Sequence, residues 1–136
     1  ERASLDEALD DAQGVGRFDA AGKQLIEDGF ARMAAAEQGD DDVLEADIAF
    51  HIAILQASGN PFYVQFRDVV ETALRTSIRF TNRFKGHSAS LGAHQAVRDA
   101  VIKGKPELAR KCMESIIRDV MSLIDEAELT EGTTAP

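Results

Sequence analysis

The chain has 136 residues, of which 44% are hydrophobic and 29% are charged, which is the size and composition of one folded domain and not of a disordered chain. Its formal net charge is −9 and its isoelectric point is near 4.7. Because such a field repels polyanions, the composition argues against direct binding of DNA or of an acidic membrane by this chain.

The sequence shows no signal for a membrane or for export. No apolar run reaches the roughly 20 residues that cross a bilayer, and residues 1–11 are acidic, unlike a signal peptide. The single cysteine, Cys112, cannot form an internal disulfide, and its place among apolar helix positions predicts a core residue rather than a reactive thiol. We therefore expect a cytoplasmic protein that does not associate with membranes.

Helical periodicity dominates the chain and predicts an all-α fold, an antiparallel bundle of about six helices. Ser4 and Glu7 can form a capping box for a short opening helix. Asp19 can cap a second helix that ends near residue 38. The acidic run at residues 40–42 follows, and we interpret it as a turn and helix N-terminus, where the helix dipole favours acids, rather than as a cation site.

The third predicted helix, at about residues 43–58, contains two ionisable side chains in its apolar stripe. Asp47 and His51 lie one turn apart between Leu44 and Leu55. The sequence Gly-Asn-Pro at residues 59–61 then predicts a helix stop, an N-cap and a new first turn.

The second half of the chain predicts three more helices. A single long helix is expected from Pro61 to about residue 84, with arginines at positions 75, 79 and 83 that we interpret as solvated or ion-paired. Ser90 can cap a fifth helix whose apolar stripe contains His94, and Pro106 can start a sixth. Residues 130–136 are predicted to be a frayed tail, and residues 1–136 one domain.

The polar residues in the stripes suggest a metal site. Residues four apart on a helix face the same way, about 6 Å apart, so Asp47 and His51 can point at one centre. Burial of a carboxylate and an imidazole costs several kcal/mol unless a charge or hydrogen bonds compensate, and a divalent cation does so. His94 could supply a third ligand, whereas His87 lies in a predicted loop. An Asp-His hydrogen bond without a metal is the alternative.

A site of two histidines and one carboxylate leaves coordination positions open for water or for oxygen atoms of a ligand. Such mixed nitrogen and oxygen sites take a divalent transition metal, with zinc as our first choice and nickel, manganese or iron as alternatives.

These motifs resemble the FCD ligand-binding domain of GntR-type bacterial transcription regulators. The resemblance rests on D-I-A-F-H at residues 47–51, S-G-N-P at 58–61, H-Q-A-V-R-D-A-V at 94–101 and G-K-P-E-L-A-R-K-C-M-E-S-I-I at 104–117. It implies that Asp47, His51 and His94 hold a metal inside a helical bundle. The family's fourth ligand is a histidine, and this chain has Ile116 at that position. We therefore expect a three-ligand metal site opened for water and effector, in preference to a metal-free site that binds its effector through hydrogen bonds.

The resemblance also implies a sensor rather than an enzyme. Such a domain forms a homodimer, binds a small carboxylate such as an organic or sugar acid, and controls DNA binding by a separate N-terminal winged-helix domain. That domain and a complete opening helix are expected to be absent from this chain, with residues 1–12 as a remnant of the helix. Arg75, Ser77 and Thr81 are our candidates for further effector contacts.

Two other functional classes stay open at this point. One is a helical metalloenzyme that uses the same Asp-His-His site for oxidation or hydrolysis, although no HExxH or comparable pattern supplies a general base. The other is a metal-free helical interaction domain in which the three polar residues satisfy one another.

Overall fold

The computed structural model describes residues 18–85 and 90–132. In these ranges it has six helices, and we number them α1 (Ala20–Glu37), α2 (Val43–Ala57), α3 (Pro61–Gln65), α4 (Arg67–Lys85), α5 (Leu91–Ile102) and α6 (Pro106–Gly132). The described part of the chain contains no strand, and the predicted all-α helical bundle is confirmed. The predicted opening helix at residues 4–12 lies outside the described residues.

One helix boundary differs from the prediction. The single long helix expected from Pro61 onward is two helices, because the backbone leaves helical geometry at Phe66 (φ −87°, ψ 2°). The Phe66 N–H donates to the carbonyl of Tyr63 at 3.0 Å, a tight turn that closes α3. At the other end of the chain, α6 continues to Gly132, into the segment predicted to be a frayed tail.

Side-chain caps start α1 and α5 at the residues that the sequence predicted. The Oδ1 atom of Asp19 accepts from the Gly22 N–H at 2.7 Å, and Ser90 Oγ accepts from the Ala93 N–H at 3.3 Å. Asp42, the last residue of the acidic run, caps α2, and Asp41 forms a two-point ion pair with Arg32 at 2.9 and 3.0 Å. These contacts support the interpretation of residues 40–42 as a turn and helix N-terminus.

The main core cluster lies where α1, α2, α5 and α6 meet. It consists of Ile26, Phe30, Met33, Ala36, Ala46, Phe50, Ile54, Ala57, Val97, Ala100, Val101, Ala109 and Met113. Cys112, which the sequence predicted to be a core residue, is partly buried and packs against this cluster. Gly29 lets α1 approach α2 closely, since a Cβ atom at this position would lie only 3.1 Å from Phe50 Cα.

A second cluster lies on the opposite side of α2 and is formed with α3 and α4. We call it the α4-side cluster, and it consists of Ile48, Ile52, Leu55, Tyr63 and Ile78. Because α2 contributes to both clusters, this helix is buried on two sides and the groups it carries lie deep in the bundle. Among the described residues, none of the helices combines the length and the apolar character that spanning a bilayer requires.

Candidate metal centre

Asp47 and His51 on α2 and His94 on α5 meet inside the bundle. Asp47 is 3% exposed and His94 is 1% exposed, while His51 is half-buried. One carboxylate oxygen, Asp47 Oδ1, lies 3.3 Å from His51 Nε2 and 3.2 Å from His94 Nε2. The three possible ligand atoms all lie within 4.8 Å of one another, so one small cation could contact all of them.

The aromatic ring of Phe50 packs against the two imidazoles. The Phe50 ring is fully buried and lies edge-on to His51 and His94, with ring centroids 5.9 and 5.4 Å apart. The two imidazoles are edge-on to each other, with centroids 5.4 Å apart. Close packing of this kind limits rotation of the rings, and so helps to hold their nitrogen atoms towards Asp47.

The hydrogen bonding of His94 decides which of its nitrogens carries a proton. Its Nδ1 atom lies 2.8 Å from the carbonyl oxygen of Ser90, and because a carbonyl can only accept, Nδ1 must donate. In a neutral imidazole the other nitrogen, Nε2, then presents a lone pair. This lone pair faces Asp47 Oδ1 at 3.2 Å, so two acceptors confront each other.

Neither of these two facing atoms is satisfied by a hydrogen bond. Asp47 Oδ1 and His94 Nε2 are both buried, and no hydrogen bond of acceptable geometry reaches either of them. Buried acceptors without a donor are costly, and the cost is relieved by a cation that binds both or by an added proton on the imidazole. The donor set therefore fits a divalent metal, and a histidine that donates its second N–H to a backbone carbonyl is typical of metal ligands.

The charge state of Asp47 suits a ligand. Burial by itself raises the pKa of the Asp47 carboxyl, but the electrostatic interactions with the adjacent rings of His51 and His94 outweigh burial and hold the pKa below its usual range. At neutral pH the group is therefore a carboxylate, which is the form that binds metals.

Ile116, which stands where the resemblance implies a fourth ligand, lies on α6. Ile116 is partly buried there and packs against the main core cluster. A branched alkyl side chain offers no ligand atom, so the cluster among the described residues contains three possible ligands, and a metal held by them would keep coordination positions for other molecules.

Of the three arginines predicted on one face of α4, Arg75 forms ion pairs. Arg75 donates to both carboxylate oxygens of Glu45 on α2 and to Glu71 at 3.2 Å, which holds the pKa of the guanidinium above its usual range. Arg79 and Arg83 are exposed. The interpretation of these arginines as ion-paired or solvated is supported, and a role of Arg75 in effector binding stays a prediction.

The other two candidates for effector contacts lie on the same helix. The hydroxyls of Ser77 and Thr81 donate to carbonyls in the preceding turn of α4, at 3.2 and 3.0 Å. Both side chains are half-buried. These bonds do not link them to Asp47, His51 or His94, so their proposed role also stays a prediction.

Two residues of the site were not identified as such from the sequence. Phe50 was not placed in the stripe that carries Asp47 and His51, although α2 is apolar on all sides, a pattern typical of a helix buried on two faces. Ser90 was recognised only as a cap. Its bond to the His94 ring was foreseeable in outline, because residues four apart adjoin in the first turn of a helix.

Comparison with known proteins agrees with the motifs. The model of the FCD domain family matches residues 12–119. Among curated proteins, the chain is similar to an uncharacterized HTH-type transcriptional regulator, YieP, of Escherichia coli strain K12, with 30% identity over 90 residues. The match covers 65% of this chain and 38% of that regulator, so the chain spans well under half of the relative's length. No solved structure matches the chain with significance.

Proposed function

The chain belongs to the FCD domain family, and on that premise we propose that it is the effector-sensing domain of a GntR-type transcription regulator. In this proposal Asp47, His51 and His94 hold a divalent transition metal, with zinc as first choice and nickel, manganese or iron as alternatives. A small carboxylate, such as an organic or sugar acid, binds beside it. The observation that supports this most directly is the buried pair of acceptors, Asp47 Oδ1 and His94 Nε2, 3.2 Å apart without a hydrogen bond.

The three side chains have different roles in such a site. Bound there, a divalent metal would supply positive charge and open coordination positions for carboxylate oxygens. Asp47 supplies the anionic ligand, and the two imidazoles supply neutral ones. With Ile116 in place of a fourth ligand, more of the coordination is left to the effector. We assign the site no catalytic reaction.

The signal would pass to DNA through parts outside these 136 residues. We propose that the domain acts as a homodimer in the cytoplasm and that a separate winged-helix domain contacts the operator. The net charge of −9 is consistent with this division, because phosphate contacts then belong to the other domain. A carboxylate that binds two arrangements of the dimer with different affinity would shift the equilibrium between them and change operator affinity.

Thermal shifts test the effector assignment. We expect a matching acid from a panel of lactate, gluconate and glucuronate to raise the Tm of the zinc-loaded protein, because a ligand that binds only the folded state stabilises it. At about 100 times its Kd the gain is roughly 2.7 kcal/mol, or on the order of 10 °C. Citrate is left out of the panel because it removes zinc by itself.

Matched controls separate binding from a solvent effect. Sorbitol, the neutral counterpart of gluconate, is expected to leave Tm unchanged, as is the preferred acid with the variant Asp47→Ala. If no acid in a wide panel shifts the zinc-loaded protein, or if the variant responds equally, the carboxylate pocket is wrong. If zinc raises Tm but none of the acids raises it further, the metal has a structural role and does not bind an effector.

A further inference from the structure

The carbonyl oxygen of Ser90 accepts two bonds from one residue. The backbone N–H of His94 donates to it at 3.2 Å, and the ring atom Nδ1 of His94 lies 2.8 Å away. The same serine is the N-cap of α5, where its side-chain oxygen accepts from the Ala93 N–H at 3.3 Å. The residue that starts the helix is therefore also the one that holds the imidazole ring.

From this geometry we infer that Ser90 is a positioning residue for the metal site, an inference that rests on the proposed function. The cap fixes the backbone at Ser90, the fixed carbonyl keeps the proton on Nδ1 of His94, and the lone pair of Nε2 is then aimed at Asp47. Partners of this kind set both the tautomer and the ring orientation of a ligating histidine.

The two histidines differ in how much they depend on such support. His51 lies in the middle of α2, a helix of 15 residues that is buried on two sides. His94 lies in the first turn of α5, a helix of 12 residues, and helix ends fray more readily than their interiors. The first turn of α5 is therefore where the geometry of the site is most easily lost, and the cap at Ser90 is what secures it.

A cap variant tests this inference. We expect Ser90→Ala to weaken zinc binding about fivefold when apparent affinity is measured by competition with a chromophoric chelator well below Tm. The variant keeps the backbone carbonyl of residue 90, so the expected loss is that of the cap, roughly 1 kcal/mol. Ser90→Thr keeps a capping hydroxyl, and its zinc affinity is expected to lie within about twofold of that of the unmodified protein.

A second cap provides the matched control. Asp19 caps α1 through its bond to the Gly22 N–H at 2.7 Å, and α1 carries none of the three ligands. Asp19→Ala is therefore expected to lower Tm much as Ser90→Ala does, yet to leave zinc affinity unchanged.

The possible results lead to different conclusions. If the original chain binds zinc and Ser90→Ala binds it equally well, the inference about Ser90 is wrong while the metal site stands. The same conclusion follows if Asp19→Ala loses as much affinity as Ser90→Ala, because general destabilisation would then explain both. If the original chain binds no zinc, the metal site falls, and the role of Ser90 falls with it.

Discussion

Asp47→Ala is expected to abolish stoichiometric zinc binding, with a loss in affinity of at least about 100-fold, since even residues that only orient a ligand are worth about 10–100-fold. The reason is that both imidazoles face the same atom of this side chain, Asp47 Oδ1, at 3.3 and 3.2 Å. Removal of the carboxylate takes away the anionic ligand and the centre of the cluster. Equilibrium dialysis followed by elemental analysis measures the result.

A second acid on the same part of the chain serves as the control. Asp41 lies just before α2 and pairs with Arg32 on the surface at 2.9 Å. Asp41→Ala removes the same charge and side chain from a different place, and we expect it to keep one tightly bound zinc. Equal zinc content in the two variants would mean that the metal binds to surface acids of this acidic protein and not in the bundle.

Phe50→Ala is expected to lower the free energy of unfolding by about 3–5 kcal/mol, the usual cost of truncating a buried phenylalanine. The ring is 0% exposed and packs edge-on against Phe30, with centroids 6.4 Å apart, as well as against both imidazoles. Denaturant unfolding with a chelator present measures this cost without a contribution from metal binding.

Two further variants keep the Phe50 prediction interpretable. Because a loss of this size can exhaust the stability of a domain, Phe50→Leu provides a milder step of about 1–2 kcal/mol. Phe62, which is 60% exposed, provides the matched control, and Phe62→Ala is expected to cost less than about 1 kcal/mol. Similar costs for Phe50→Ala and Phe62→Ala would contradict the burial of α2 between the two clusters.

Local signals in the sequence were sufficient for much of the fold. The caps at Asp19, Asn60 and Ser90 were predicted because an N-cap is recognised by its own residue and its close neighbours. The meeting of Asp47, His51 and His94 could be anticipated because polar residues in an apolar helical stripe must face the interior. That these side chains bind a metal remains a proposal.

Features that depend on packing between helices could not be predicted from the helical periodicity of the sequence. The break at Phe66 has no glycine or proline at that position to indicate it. The ion pair of Arg75 with Glu45 joins residues 30 positions apart, so only the contact of α4 with α2 reveals it. The burial of Ile78, which is 8% exposed in the structure, depends on the same contact of α4 with α2.

The most direct test of the metal site is an anomalous difference map from crystals of the zinc-loaded protein, collected at the zinc absorption edge. The proposal predicts one strong peak in the bundle, within coordination distance of Asp47 Oδ1, His51 Nε2 and His94 Nε2. A map with peaks only at surface carboxylates, or with no peak between α2 and α5 while zinc binds in solution, would contradict it.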